Sequence, residues 1–122
     1  MYQDMQSDTP LFIQIAEQIE NAILTGALKE EMQAPSTTEI SVSCKINPAT
    51  ALKGIAMLVD EGILYKRRGL GMFVTKDAKQ TIMEKRKRQF GEKYVMPLVS
   101  EAKKLSVEQE EIIDMIRRGY EK

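Results

Sequence analysis

Two clusters of positive charge, Lys66-Arg67-Arg68 and Lys85-Arg86-Lys87-Arg88, are the groups in this 122-residue chain whose type and spacing suggest chemistry. That chemistry is the neutralisation of a polyanion. Both clusters lie in the segment 45–93, which carries a net charge of +7 between an N-terminal segment 1–44 at −6 and a C-terminal segment 94–122 at −1. The 18 basic and 18 acidic residues cancel over the whole chain, so a neutral average conceals segregated charge. A solvated face would explain either cluster alone. A basic segment between acidic ends is better explained by a local polyanion-binding surface.

Other chemistry is excluded. There is no His, so a Ser-His-Asp triad, a His metal ligand and an imidazole base are all missing. The single Cys, Cys44, cannot form an internal disulfide and leaves a Cys/His zinc site out of reach. Cys44 reads as a small core residue at a helix end, and the eight Met residues as core filler. No convergent acid–base pair or phosphate-binding glycine loop is visible. The expectation is therefore no enzyme, no metal and no cofactor. The longest apolar run, Ile55 to Val59, is far shorter than a membrane span, and Met1 to Asp8 is too polar for a signal peptide. A cytoplasmic protein without a membrane partner is expected.

The elements that must position the basic groups follow from caps and periodicity. Thr9 suits an N-cap and Pro10 a first helical position; Leu11, Ile15, Ile19 and Ile23 recur every four residues up to a stop at Gly26. Residues 27–35 read as a loop. Ser36 and Glu39 form a capping-box pattern for a short helix from Thr37 to Cys44. After a tight turn, Asn47 and Pro48 open a third helix to about Asp60, with Leu52, Ile55, Ala56 and Val59 expected on its core face. Two short helices joined so tightly suggest helix-turn-helix. A hairpin follows, Ile63 to Arg67 and Met72 to Thr75, around Arg68-Gly69-Leu70-Gly71. The fold expected is mainly α with a small β-hairpin: a winged helix-turn-helix over 1–75 and a two-helix C-terminal dimerisation tail over 76–122. Pro97 is expected to kink the first tail helix near Tyr94, and Ile112, Ile113 and Ile116 to line a final helix from Glu108 to Arg118.

The pattern resembles the DNA-binding domain of the GntR family of bacterial transcription regulators. The residues that carry the resemblance are Pro10-Leu11-Phe12, Gln14-Ile15-Ala16, Ile23-Leu24 with Gly26, Pro35-Ser36 with Glu39-Ile40, and Asn47 to Thr50. They continue through Leu58, Glu61-Gly62-Ile63-Leu64-Tyr65, Arg67-Arg68-Gly69, and Gly71 with Phe73-Val74. Only 47 residues follow Thr75, which resembles the short YtrA-type subfamily, whose tail mainly dimerises. The chain departs from the wider family where Glu31 replaces a common Gly, Ala34 a common Leu, and Asn47-Pro48 a common Ser-Arg. That Arg can read a base, so operator preferences of Arg-bearing relatives do not transfer.

Site expectations follow. The third helix would enter the major groove by its N-terminal end, presenting Asn47, Pro48, Ala49, Thr50 and Lys53. Ser36, Thr37 and Thr38 would meet a phosphate. By resemblance, the wing would bring Arg67, Arg68, Gly69, Leu70 and Gly71 to the minor groove. Each group also has a structural use: Asn47, Ser36 and Thr37 as caps, the glycines as turn formers. Lys85 to Arg88 would face solvent or touch phosphate. Phe90, Tyr94, Leu98, Ala102, Ile112 and Ile116 form the expected homodimer surface, with packing onto the chain's own domain as the alternative. The implied function is a dimeric repressor on double-stranded DNA with a palindromic operator; a winged-helix protein-interaction module without DNA binding is the competing reading. The resemblance leaves room for a small-molecule effector, for which the sequence places no pocket.

Overall fold

The computed structural model describes residues 9–122; the expectation for Met1 to Asp8 lies outside the described residues. The order of elements is α1 (Leu11–Thr25), α2 (Thr37–Cys44), α3 (Pro48–Asp60), β1 (Leu64–Arg67), β2 (Gly71–Val74), α4 (Ala78–Phe90), a π-helical turn (Gly91–Val95), α5 (Met96–Lys104) and α6 (Gln109–Tyr120). This is the mainly helical winged helix-turn-helix read from the sequence. Among the described residues no helix is long and apolar enough to cross a membrane.

Local chemistry sets the helix ends. Pro10, rather than Thr9, is the N-cap of α1, one residue later than expected. Its carbonyl accepts from the N–H groups of Ile13 and Gln14, both at 3.1 Å. The capping box of α2 is complete: Glu39 N–H donates to Ser36 Oγ at 3.0 Å, and Ser36 N–H donates to Glu39 Oε1 at 2.9 Å. Lys45, in the left-handed region at φ 54°, turns the chain into α3. Asn47 Oδ1 caps α3 by accepting from Ala49 N–H at 2.8 Å.

The core of the first unit, which runs through Glu84, is built from Ile15, Ile19 and Ile23 of α1, Ile40 of α2, and Ala51, Ile55 and Leu58 of α3, closed by Ile63, Leu64 and Val74 of the wing. Ala78 and Ile82 are fully buried in the same cluster. The core therefore continues beyond Thr75 into the first turns of α4.

One expectation is corrected here. The buried face of α3 is Ala51, Gly54, Ile55 and Leu58. Leu52 and Ala56 point outward and Val59 is half-buried. The reason is Gly54. A Cβ there would lie 2.8 Å from the Phe12 carbonyl oxygen and 3.3 Å from Ile15 Cγ2. Backbone meets backbone at that crossing, and this close approach fixes which side of α3 turns inward.

The wing is also more than a hairpin. β1 and β2 pair antiparallel with Tyr65 opposite Phe73 and Arg67 opposite Gly71. The expected loop runs along the other edge of β2. Glu31 N–H donates to the Val74 carbonyl and Ala34 N–H to the Met72 carbonyl, both at 2.8 Å, while Val74 N–H donates to the Met32 carbonyl at 2.9 Å.

The second unit begins at Lys85. Where a kink is expected, near Tyr94 to Pro97, the structure has a π-turn, in which Met96 N–H donates to the Gly91 carbonyl five residues back. The backbone stays helical at Phe90, Val95 and Met96. Proline lacks an N–H and crowds the carbonyl four residues earlier, and a widened turn accommodates both effects. Another capping box, Glu108 with Glu111, opens α6.

Candidate nucleic-acid interface

The first unit carries three groups of expected DNA contacts. At the N-terminus of α2, Ser36 and Thr38 are exposed and Thr37 is half-buried. The Ser36 hydroxyl already accepts the Glu39 N–H. The two Ser36 hydrogen bonds, from its backbone N–H first and around its side chain second, hold the Glu39 carboxyl below its ordinary value. This helix end thus carries its own carboxylate beside the hydroxyls expected to meet a phosphate.

At the N-terminus of α3, Asn47, Pro48 and Ala49 are exposed and Thr50 is half-buried. Lys53 is exposed, with Nζ 4.2 Å from the centroid of the Phe12 ring. The corrected rotation of α3 adds two outward residues to this face, Leu52 and Ala56. Periodicity alone could not assign them, because a leucine and an alanine suit either face.

In the wing, the two arginines differ sharply. Arg67 Nη2 lies 3.0 Å from Glu31 Oε2 and 2.8 Å from Tyr65 Oη, and its Nε donates to the same hydroxyl at 3.1 Å. Tyr65 in turn donates to Glu31 Oε2 at 2.6 Å. The guanidinium carbon sits 4.3 Å from the centre of the Phe73 ring, within cation–π range. Arg68 is exposed at the tip. Gly69 and Gly71 have φ of 79° and 118°, which only glycine adopts without strain. Gln33 braces the tip by donating from Nε2 to the Leu70 carbonyl at 2.6 Å, and a Cβ on Gly71 would lie 2.8 Å from that same nitrogen.

Glu31, Gln33, Tyr65 and Phe73 are the residues missed from the sequence. Period-two alternation in the hairpin could have placed Tyr65 and Arg67 on one face, with Phe73 across from Tyr65. Nothing local could have found Glu31, which lies 36 positions before Arg67. Glu31 also adopts φ 65°, the conformation that makes glycine the easier residue at this position.

The second unit, taken by itself, places the other expected surface. Phe90 and Tyr94 are exposed, their rings 5.4 Å apart between centroids. Leu98, Ala102, Ile112 and Ile116 line one groove together with Leu105 and Met115. Ala102 is 9% exposed, so it forms the floor of this groove rather than its surface. Lys85 and Arg86 are half-buried, and Lys87 and Arg88 exposed. Cys44 is half-buried against the core.

No protein-family model matches the chain. The HTH-type transcriptional repressor YtrA of Bacillus subtilis is 31% identical over 114 residues, covering 93% of this chain and 87% of that one. The chain belongs to the GntR family, in its YtrA-type branch. A solved GntR-family regulator from Bacteroides thetaiotaomicron superposes with a TM-score of 0.79 at 31% identity, covering 91% of this chain and 96% of that one. AraR(DBD), solved in complex with operator ORX1, matches with a TM-score of 0.55 at 28% identity over 62% of this chain and 93% of its own. This GntR-family chain is a DNA-binding transcription regulator and not an enzyme.

Proposed function

We propose that this GntR-family chain is a repressor that binds an inverted-repeat operator as a homodimer in the cytoplasm. The N-terminal part of α3 enters the major groove and the wing lies at the minor groove of each half-site. The observation that carries the reading is the first unit's presentation of an outward α3 N-terminus and an exposed Arg68 at a glycine-built wing tip. Asn47, Pro48, Ala49, Thr50 and Lys53 take the major-groove side. Arg67, Arg68, Gly69, Leu70 and Gly71 take the wing side, and Ser36, Thr37 and Thr38 approach the backbone. One such unit spans too few base pairs for a specific site, and a two-fold pair doubles the footprint.

The uncovered apolar face of the tail supports the pairing. Among the described residues from Lys85 onward, only Ala102 is buried. Phe90, Tyr94, Leu98, Ala102, Ile112 and Ile116 are the residues we assign to the interface, with 1–75 as the reading head and 76–122 as the dimerisation tail, whose first turns, at Ala78 and Ile82, pack into the core of the reading head.

The test is titration of fluorescent duplex from the gene's own upstream region at several salt concentrations. Tight binding to an inverted repeat, with affinity falling steeply as salt rises, is expected. Salt-insensitive behaviour with no duplex bound would instead favour a protein-interaction module.

A further inference from the structure

We propose that α3 selects its site through the C5-methyl groups of thymine and that Leu52 reads them; the inference rests on the DNA-reading role proposed above. Ala49, Leu52 and Ala56 recur at steps of three and four along the outward side of α3, and all three are exposed. Leu52 is 53% exposed, although the opposite side of the same helix fills the core with Ala51, Ile55 and Leu58. Among the described residues, nothing in its own unit buries this apolar row.

The same face is poor in the donors that read guanine. α3 contains no Arg, and its one Lys, Lys53, has its ammonium over the Phe12 ring. Pro48 has no backbone N–H to offer, and Asn47, whose Oδ1 accepts the Ala49 N–H, keeps only its Nδ2 as a donor. In the major groove guanine shows two acceptors, adenine an acceptor and a donor, and cytosine a donor; thymine alone adds an apolar methyl. A leucine packed over guanine would leave N7 and O6 out of water without a donor, which is unfavourable. The face therefore matches thymine by contact and disfavours guanine by desolvation. The occupant is DNA rather than a protein helix, because the same unit presents an exposed basic wing tip.

The experiment uses the full chain. Duplexes are enriched from a random pool, and the enriched site is resynthesised with deoxyuridine for each thymine in turn. This removes the methyl and keeps every hydrogen-bonding group. Deoxyuridine at the thymines beneath α3 is expected to weaken wild-type binding by about fourfold per contacted methyl, the worth of one buried methylene-sized group. Leu52→Ala, at an exposed position that spares the core, is expected to bind the thymine and deoxyuridine duplexes equally. That loss of discrimination separates a contact from a change in duplex shape.

Equal binding of both duplexes by the wild type overturns the proposal. So does a deoxyuridine penalty that persists undiminished in Leu52→Ala. A chain that enriches no duplex overturns the operator-binding reading itself, a result distinct from tight binding that ignores the methyl.

Discussion

Arg67 and Arg68 are adjacent in the chain and sit in opposite surroundings. Arg67 is tied to Glu31, to the Tyr65 hydroxyl and to the Phe73 ring, so much of its charge is already answered within the protein. Arg68 faces solvent. We therefore expect Arg68→Ala to flatten the salt dependence of DNA binding by about one unit of slope, the amount for one phosphate contact. Arg67→Ala should change the slope less and disorder the wing base instead. Equal slope changes in the two variants, measured by titration across salt, would contradict this division. A second residue-scale prediction concerns Gly54. Its added Cβ would lie 2.8 Å from a backbone oxygen rather than from a flexible side-chain end. Gly54→Ala should therefore destabilise the fold by about 1–3 kcal/mol, the usual cost of overpacking, read as a lower urea midpoint. Such single-residue facts were the least legible in the sequence. The Arg67 cluster depends on a partner that only the folded chain brings near, and Gly54 has no side chain to join a periodic pattern.

At the scale of elements, the helix starts were legible because caps are local. Ser36 with Glu39, and Asn47 with Pro48, specify their helices within four residues, and the structure shows both. What escaped was rotation and edge pairing. The face of α3 depends on the α1 backbone at Phe12, and the 31–34 segment pairs with β2 some forty positions later, neither of which a local pattern encodes. The α2 cap also has a pH consequence. Glu39 has a folded carboxyl value below its ordinary one, so its contribution to stability is present above the ordinary value and is lost as pH falls through the depressed folded value. Glu39→Gln should therefore melt below the wild type near neutrality, with the gap narrowing as the solution is acidified through and below the ordinary carboxylate range. A gap that stays constant with pH would count against the carboxylate's role.

For the whole molecule, the decisive quantity is how many copies act together. The tail leaves Phe90, Tyr94, Leu98 and Ile116 exposed, a set too apolar to favour solvent. Light scattering should give a species of about 28 kDa, twice the 13.9 kDa chain. Leu98→Asp should shift this toward the monomer and weaken operator binding while leaving the melting of the first unit unchanged. A wild-type monomer at micromolar concentration would contradict the dimer. The way in which copies can meet is narrowed further by the short segment beside the wing. An open hairpin offers two bare strand edges on which a neighbouring chain can build a sheet. Here residues 31–34 occupy the β2 edge through the Gln33–Phe73 bridge and its flanking hydrogen bonds. Among the described residues only the β1 edge remains, and two copies aligned along it would bring the like charges of their Lys66 and Arg68 side chains together. Strand exchange through the wing is thus disfavoured, which agrees with the proposal that the tail helices carry the pairing.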